Sequence, residues 1–146
     1  MTWSEAEAAI RTQIETQWAL SSYSNLPLAW ENENSAYSDR YMAVLIEGIF
    51  ADKTIYGSAG KRMSIEGGIV FFHAFVPTGE GKTEARGAVE AMTGILELQT
   101  ISDTIKLEGG NPPSPVEADV SIVRAQPGGN YYRCSGSVPF ILIRNV

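Results

Sequence analysis

The chain has 146 residues, and its 17 acidic and 11 basic side chains give a net charge of −6. A chain of this length forms one domain of ordinary size, and its excess of acid disfavours a surface that grips nucleic acid, because such affinity comes mainly from Lys and Arg. Charged residues make up only 19% of the sequence, below the ~25% of an average soluble chain.

The N-terminal third predicts a helix, two strands and a polar loop. Thr2 and Ser4, each followed by Glu three residues later, form capping boxes that begin a helix, and apolar residues at helical spacing give it a buried stripe. The predicted elements are a helix from about Ser4 to Leu20 with the stripe Ala6, Ile10, Ile14 and Trp18, a strand at Leu28–Trp30, a loop from Glu31 to Arg40 and a strand from Tyr41 to Glu47.

Residues 49–63 form a long excursion after the second strand and predict a protruding β-hairpin. The Thr54–Tyr56 piece has strand propensity, and a Gly-Ser-Ala-Gly turn follows it. Lys53, Lys61 and Arg62 flank the hairpin or lie in it, so they would place a small positive patch at its tip. Such a tip either pairs with an acidic neighbour or keeps the hairpin soluble.

The second half of the chain alternates strands with one helix. The strand Ile69–Val76 is apolar on both of its faces, so we expect both faces to be covered. The other predicted elements are a turn at Pro77–Gly81, a helix from about Lys82 to Leu98, a modest strand through Ile101, Ile105 and Leu107, a loop from Gly109 to Pro115, a strand near Ala118 to Arg124 and a last strand from Tyr131 to Ile143. This order predicts a single α+β domain over residues 1–146, with a mixed or antiparallel sheet packed against two helices and a protruding β-hairpin.

Few residues suggest catalytic or metal chemistry. Cys134 and His73 are the only cysteine and histidine, which excludes intrachain disulfides, thiolate clusters and multi-histidine metal sites. Nothing local supports a nucleophile and base made of this pair. The Gly79–Thr83 turn opens a helix as a phosphate-binding loop does, but Val76 stands where that motif needs its first glycine. We therefore expect no cofactor, no metal and no enzymatic activity, and a small nucleotide-binding enzyme built on this turn is the alternative from another class.

The sequence also predicts a soluble, unexported protein. No run of about 18 apolar residues is present to span a bilayer, so we expect no membrane partner. The first residues lack the basic and then apolar layout of a signal peptide.

Two stretches resemble the tail terminator-like (tail completion) proteins of long-tailed bacteriophages and gene transfer agents. The first is Leu28–Asn34 (LAWENEN) followed by Tyr41–Ile46 (YMAVLI), and the second is Glu66–Phe72 (EGGIVFF) followed by Val76–Gly81 (VPTGEG) and a helix with small residues. The resemblance covers residues 2–98 and reaches the C-terminal third only in its strand-rich character. The positions that match the family pattern, all interpreted as structural, are Asn32 (or alternatively Asn34), Tyr41, Gly67, Pro77, Gly79 and Gly81.

The resemblance implies a structural virion protein that is not an enzyme. Members of this family form a hexameric ring that caps the tail tube, ends tube polymerisation and presents the surface on which the head connector docks. The implied partners are further copies of the chain, the tail-tube protein and head–tail connector proteins, while genomic DNA passes through the lumen without specific binding. The implied location is the head-proximal end of the virion tail, after assembly in the host cytoplasm. A head–tail joining or minor tail protein of similar size is the alternative within virion proteins.

The shortage of charge predicts that part of the surface is buried against neighbouring subunits. Because a ring needs two different matching surfaces on each subunit, we expect residues 49–63 to form a contact arm. The aromatic residues have few Lys or Arg residues among them. This pattern favours a place in the core or in a protein interface over stacking on nucleic acid. The candidate contact residues are Lys53, Ile55, Tyr56, Lys61, Arg62, Trp30 and Tyr37, and further candidate segments are Tyr41–Ile46, Ile49–Tyr56 and Phe140–Ile143.

Overall fold

A computed structural model describes residues 2–30, 40–48, 54–57, 63–77, 82–102, 104–110, 114–117 and 131–145. Its elements in chain order are α1 (Trp3–Ala19), β1 (Leu28–Trp30), β2 (Tyr41–Gly48), β3 (Thr54–Tyr56), β4 (Met63–Pro77), α2 (Lys82–Leu96), β5 (Thr100–Ser102), β6 (Ile105–Leu107), β7 (Ser114–Glu117) and β8 (Tyr131–Asn145).

Two long central strands organise the sheet. The 15-residue strands β4 and β8 pair antiparallel over their whole length, from Met63 opposite Asn145 to Pro77 opposite Tyr131. On its side away from β8, β4 pairs with β2 and β3. On its side away from β4, β8 pairs with β6 and β7. β1 joins β2 in parallel and β5 joins β6 antiparallel, so the sheet is mixed. The predicted α+β class is therefore confirmed.

The first helix begins as its sequence predicts. Thr2 caps it: the Thr2 hydroxyl accepts from the Glu5 backbone N–H, and the Glu5 carboxylate accepts from the Thr2 N–H. This reciprocal pair satisfies two backbone donors that the first turn leaves free. The predicted stripe of Ala6, Ile10, Ile14 and Trp18 is buried. The chain after the helix is fixed by Trp18, whose indole Nε1 donates to the Leu26 carbonyl at 2.9 Å.

The second helix packs directly on the two central strands. Its own residues Ala85, Ala88, Val89, Met92 and Leu96 are completely buried against the sheet. An ion pair between Arg40 and Glu84 joins the residue before β2 to the first turn of α2. The helix ends two residues before the predicted Leu98, because Leu98 adopts a positive φ of 58° that stops helical hydrogen bonding.

Three sequence predictions in the strands were wrong or incomplete. β4 begins at Met63 and not at Ile69, because residues 63–68 find partners on β8 along one edge. The predicted modest strand is two short strands, β5 and β6, which pair with each other. β7 occupies Ser114 and Pro115, which were predicted to be loop, because it pairs with β8. The predicted strand near 118–124 lies outside the described residues.

The predicted hairpin is supported only in its strands. Thr54–Tyr56 pairs antiparallel with Met63–Ile65, as expected for the two arms of a hairpin. The connecting residues 58–62 lie outside the described residues, so a protruding tip stays a prediction.

Candidate interaction surface

The sheet has an inner face that both helices cover. Its residues alternate along each strand and form one hydrophobic cluster with the buried stripes of α1 and α2. The inner-face residues are Met42 and Val44 from β2, Val70, Phe72, Ala74 and Val76 from β4, Ile105 and Leu107 from β6, and Cys134, Val138, Phe140 and Leu142 from β8.

The opposite side of the sheet, called here the outer face, is also apolar. Among the described helices and strands, none packs on it. Its middle and one end form an apolar patch of half-buried side chains, namely Leu45, Ile65, Ile69, Phe71, Pro139, Ile141 and Ile143. An antiparallel sheet with a solvated face carries mostly polar side chains on that face. Large contiguous apolar patches on a surface mark interaction sites. Of the cover expected on both faces of β4, the described helices supply that of the inner face, and cover of the outer face stays a prediction.

The other end of the outer face is aromatic and polar. The rings of Tyr41 and Phe75 stack with centroids 4.7 Å apart, and both residues are buried. His73 Nδ1 lies 2.7 Å from the Ser135 hydroxyl oxygen on β8. Arg133 stands beside them, and its Nε atom is buried without a hydrogen-bond partner among the described residues. This end therefore carries a cation whose Nε donor has no hydrogen-bond partner in the described part of the chain.

The surroundings of His73 favour its neutral form. Burial lowers the pKa of His73 below its usual value, and the nearby Arg133 cation lowers it further. Because the unfolded chain takes up this proton at a higher pH than the folded chain does, the folded state binds fewer protons just below the ordinary value of 6.5. The contribution of neutral His73 to the free energy of unfolding is therefore present in full above that value and is lost as the pH falls below it.

A His73→Gln variant should reveal this dependence. We expect the urea midpoint of the wild type to fall between about pH 7 and pH 5 more steeply than that of the variant, because only the wild type carries the titrating imidazole. The measurement is a set of urea unfolding curves at several pH values and at protein concentrations low enough to keep the chain monomeric. Parallel pH profiles for the two proteins would contradict the prediction.

The residues singled out for possible chemistry do not come together. His73 lies on the outer face and Cys134 on the inner face, because Cys134 is opposite Ala74 in the register. The β-sheet backbone separates the two side chains, and burial raises the pKa of the Cys134 thiol. Gly79 and Gly81 lie outside the described residues, while Lys82 is the first residue of α2. The described residues contain no group of three or more His, Cys, Asp or Glu placed to hold a metal ion.

Trp30 lines a groove between α1 and the edge of the sheet. The groove has a volume of about 350 Å³, with Val44 and Ile46 among its lining residues. Arg11 lies over the Trp30 ring, 4.7 Å from its centroid, and also binds the Glu15 carboxylate at 2.9 Å. This arrangement places Trp30 on the inner side of the sheet, away from the outer face.

The other predicted interface and motif residues are scattered or undescribed. Tyr41 lies on the outer face, Gly67 is buried in β4 and Pro77 ends that strand. Ile55 and Tyr56 lie in β3, which pairs with β4. The residues outside the described part of the chain are Lys53, Lys61, Arg62, Tyr37, Asn32, Gly79 and Gly81.

Part of the outer face is not predicted by the sequence. The candidate contact segments Tyr41–Ile46 and Phe140–Ile143 contain Leu45, Ile141 and Ile143, which lie on this face, and their role in contact stays a prediction. Arg133, Ser135 and Pro139 were not singled out. Every second residue of β8 is small, polar or apolar without a clear preference, so the alternation is only a weak signal. The face to which each residue belongs depends on the pairing with β4.

Comparisons with known proteins inform the fold alone. No family model matches the chain, and no curated protein matches it. Sixteen chains of solved structures match. One of them, whose designation states neither a function nor an organism, has a TM-score of 0.64 and 13% sequence identity, and the match covers 97% of this chain and 96% of that chain. In the described residues, neither helix is long and apolar enough to cross a membrane.

Proposed function

We propose that this chain is a structural virion protein, a tail terminator whose copies form a ring that caps the tail tube, ends tube polymerisation and provides the docking surface for the head connector. The observation that carries the proposal is the apolar outer face, which no described helix or strand covers. Large apolar side chains such as Phe71 and Ile141 remain partly exposed to water in one subunit. Burying them against a second protein surface would therefore be favourable.

Two properties of the sequence support the same role. The low charged fraction of 19% fits a chain that buries part of its surface in an assembly. The net charge of −6 fits a ring through which DNA passes, because an acidic or neutral lining repels phosphate. The resemblance over residues 2–98 supplies the specific role at the tail, with the tail-tube and connector proteins as partners.

Native mass spectrometry tests the proposal. The purified chain is measured alone and after mixing with the tail-tube protein encoded by the same genome. We expect a six-copy species when tube protein is present, and negative-stain images should place it at tube ends. Tube growth should also stop earlier as more of the chain is added. A chain that stays strictly monomeric, both alone and with tube protein, would rule the ring out.

Charge reversal tests the proposed contact arm. Replacing Lys53, Lys61 and Arg62 together with Glu should impair ring assembly or docking, since the positive patch would then repel an acidic neighbour. Arg86→Glu on the exposed side of α2 is the control, because it changes charge outside the arm. Circular dichroism checks that each variant is folded. Unchanged assembly of the triple variant would remove the arm from the interface.

A further inference from the structure

Arg133 is a half-buried cation at the polar end of the outer face. Its Nε atom is buried without a hydrogen-bond partner, and the described residues give its guanidinium no ion pair. Glu117, the acidic residue of β7, is in register with Tyr132, which belongs to the inner face. A guanidinium that is partly removed from water without an opposite charge costs free energy, so an anion bound beside it would stabilise it.

A shallow trough runs along β8 from Arg133. Its floor is formed by the small residues Ser135 and Ser137, while the large side chains of His73 and Phe71 stand opposite them on β4. All four of these residues are half-buried. The trough therefore begins at a cation, continues beside a hydroxyl group and an imidazole, and reaches an aromatic ring of the apolar patch.

His73 provides a second donor at the cationic end of the trough. Arg133 is its diagonal neighbour across the strand pair, and Cβ atoms in that relation lie about 7–8 Å apart or somewhat less, so an anion between the two side chains can contact both. Its Nδ1 atom lies 2.7 Å from the Ser135 hydroxyl oxygen, and its Nε2 atom has no hydrogen-bond partner in the described part of the chain. On the strands around His73, the charged and titratable neighbours on the same face are Arg133 of β8 and Tyr41 of β2. β7 places no such residue in register with Arg133 or Ser135.

We infer that this trough binds a carboxylate group that is carried next to an apolar group. The guanidinium fork of Arg133 donates two parallel hydrogen bonds to a planar carboxylate. With the Ser135 hydroxyl donating to Nδ1, the Nε2–H of His73 donates a further one. The apolar group packs along the trough against Phe71. A phosphate dianion fits less well, because neutral His73 leaves Arg133 as the one full positive charge of the trough.

The single histidine of the chain gives a direct readout of binding. His73 is that residue, so its imidazole proton NMR signals report its pKa without overlap. Burial and then the Arg133 cation lower this pKa, and a bound carboxylate should raise it because it stabilises the imidazolium. The probes are 3-phenylpropionate and, as a neutral control, 3-phenylpropan-1-ol. A rise with the acid alone supports the site. An unchanged pKa at the highest soluble acid concentration, or an equal rise with the alcohol, overturns it.

Removing the cation should move the free and the bound states differently. Arg133→Gln should raise the pKa of His73 in the free chain and weaken binding of 3-phenylpropionate at least about tenfold. Arg86→Gln, on the exposed side of α2, is the matched control and should change neither. Circular dichroism checks the fold. If Arg133→Gln fails to fold, Arg133→Lys keeps the charge without the fork and should weaken binding roughly threefold. Unchanged affinity in a folded Arg133 variant overturns the site.

Further probes distinguish a free organic acid from an acidic side chain of a protein. Tighter binding of the blocked peptide acetyl-Leu-Glu-Leu-amide than of 3-phenylpropionate assigns the trough to a protein partner, and the reverse order assigns it to a small acid. Inorganic phosphate that binds as tightly as either probe overturns the carboxylate. The inference does not rest on the proposed ring. A chain that assembles with tube protein and binds neither acid overturns this site alone, whereas one that binds acid and stays monomeric with tube protein overturns only the ring.

Discussion

Replacing Phe72 with Ala should lower the free energy of unfolding by about 3–5 kcal/mol, because this ring is completely buried and its removal leaves a cavity. Replacing the adjacent Phe71 with Ala should lower it by no more than about 2 kcal/mol, since this ring remains partly exposed in one subunit. The two residues are neighbours in β4 and differ in the face they occupy. Phe72 lies beneath α2, near Val89 and Gly136, and Phe71 lies in the apolar patch.

The order of the two variants should reverse when association, and not stability, is measured. Phe71→Ala should weaken association of the folded chain, because the side chain belongs to the surface that we expect to be covered by another copy. Phe72→Ala should lower stability in the monomer and leave association of the folded fraction nearly unchanged. Urea unfolding at concentrations below the association range measures stability, and sedimentation measures association. Equal losses of monomer stability would mean that the outer face is already covered within one subunit, and the proposed function would then lose its main support.

Local sequence signals predicted the helices well. The capping box at Thr2 and the stripe from Ala6 to Trp18 fixed α1 to within a residue at each end. Such signals depend on residues three or four positions apart, which lie within one element. The start of β4, the division between β5 and β6, and β7 were predicted less well. These elements are defined by pairing with strands far away in the sequence, above all with β8.

The candidate surface was predictable only in part, for a related reason. The sequence of Ile69–Val76 is apolar on both faces of the strand, but no local pattern indicates on which face the helices pack. That choice follows from the packing of α1 and α2 on Val70 and Phe72. The importance of Arg133 was not visible in the sequence, because its position beside Phe75 and His73 exists only through the register of β4 and β8.

At Gly68 the backbone of β4 lies very close to a neighbouring strand and to an aromatic ring. Gly68 faces Gly48 on β2 and Phe140 on β8. The Trp3 ring of α1 fills the space beside Gly48, and the Phe140 ring fills the space beside Gly68. The two rings lie edge-on to each other with centroids 5.8 Å apart. A Cβ atom on Gly68 would lie 2.5 Å from the carbonyl oxygen of Glu47, which is a backbone atom of the paired strand and cannot turn away.

We expect Gly68→Ala to lower the free energy of unfolding by about 3 kcal/mol, because a single methyl group would push apart β2 and β4 and displace Phe140. Gly94→Ala is the matched control: a Cβ there meets no atom within 4 Å, on the exposed side of α2. It should raise stability by about 1 kcal/mol through helix propensity. Combining Gly68→Ala with Phe140→Leu should recover only part of the loss, since the Glu47 carbonyl still obstructs the methyl group. Urea midpoints of the four proteins measure these effects. Full recovery in the double variant would show that Phe140 alone sets the limit, and a Gly68→Ala chain as stable as the wild type would refute the close pairing of β2 with β4 at this position.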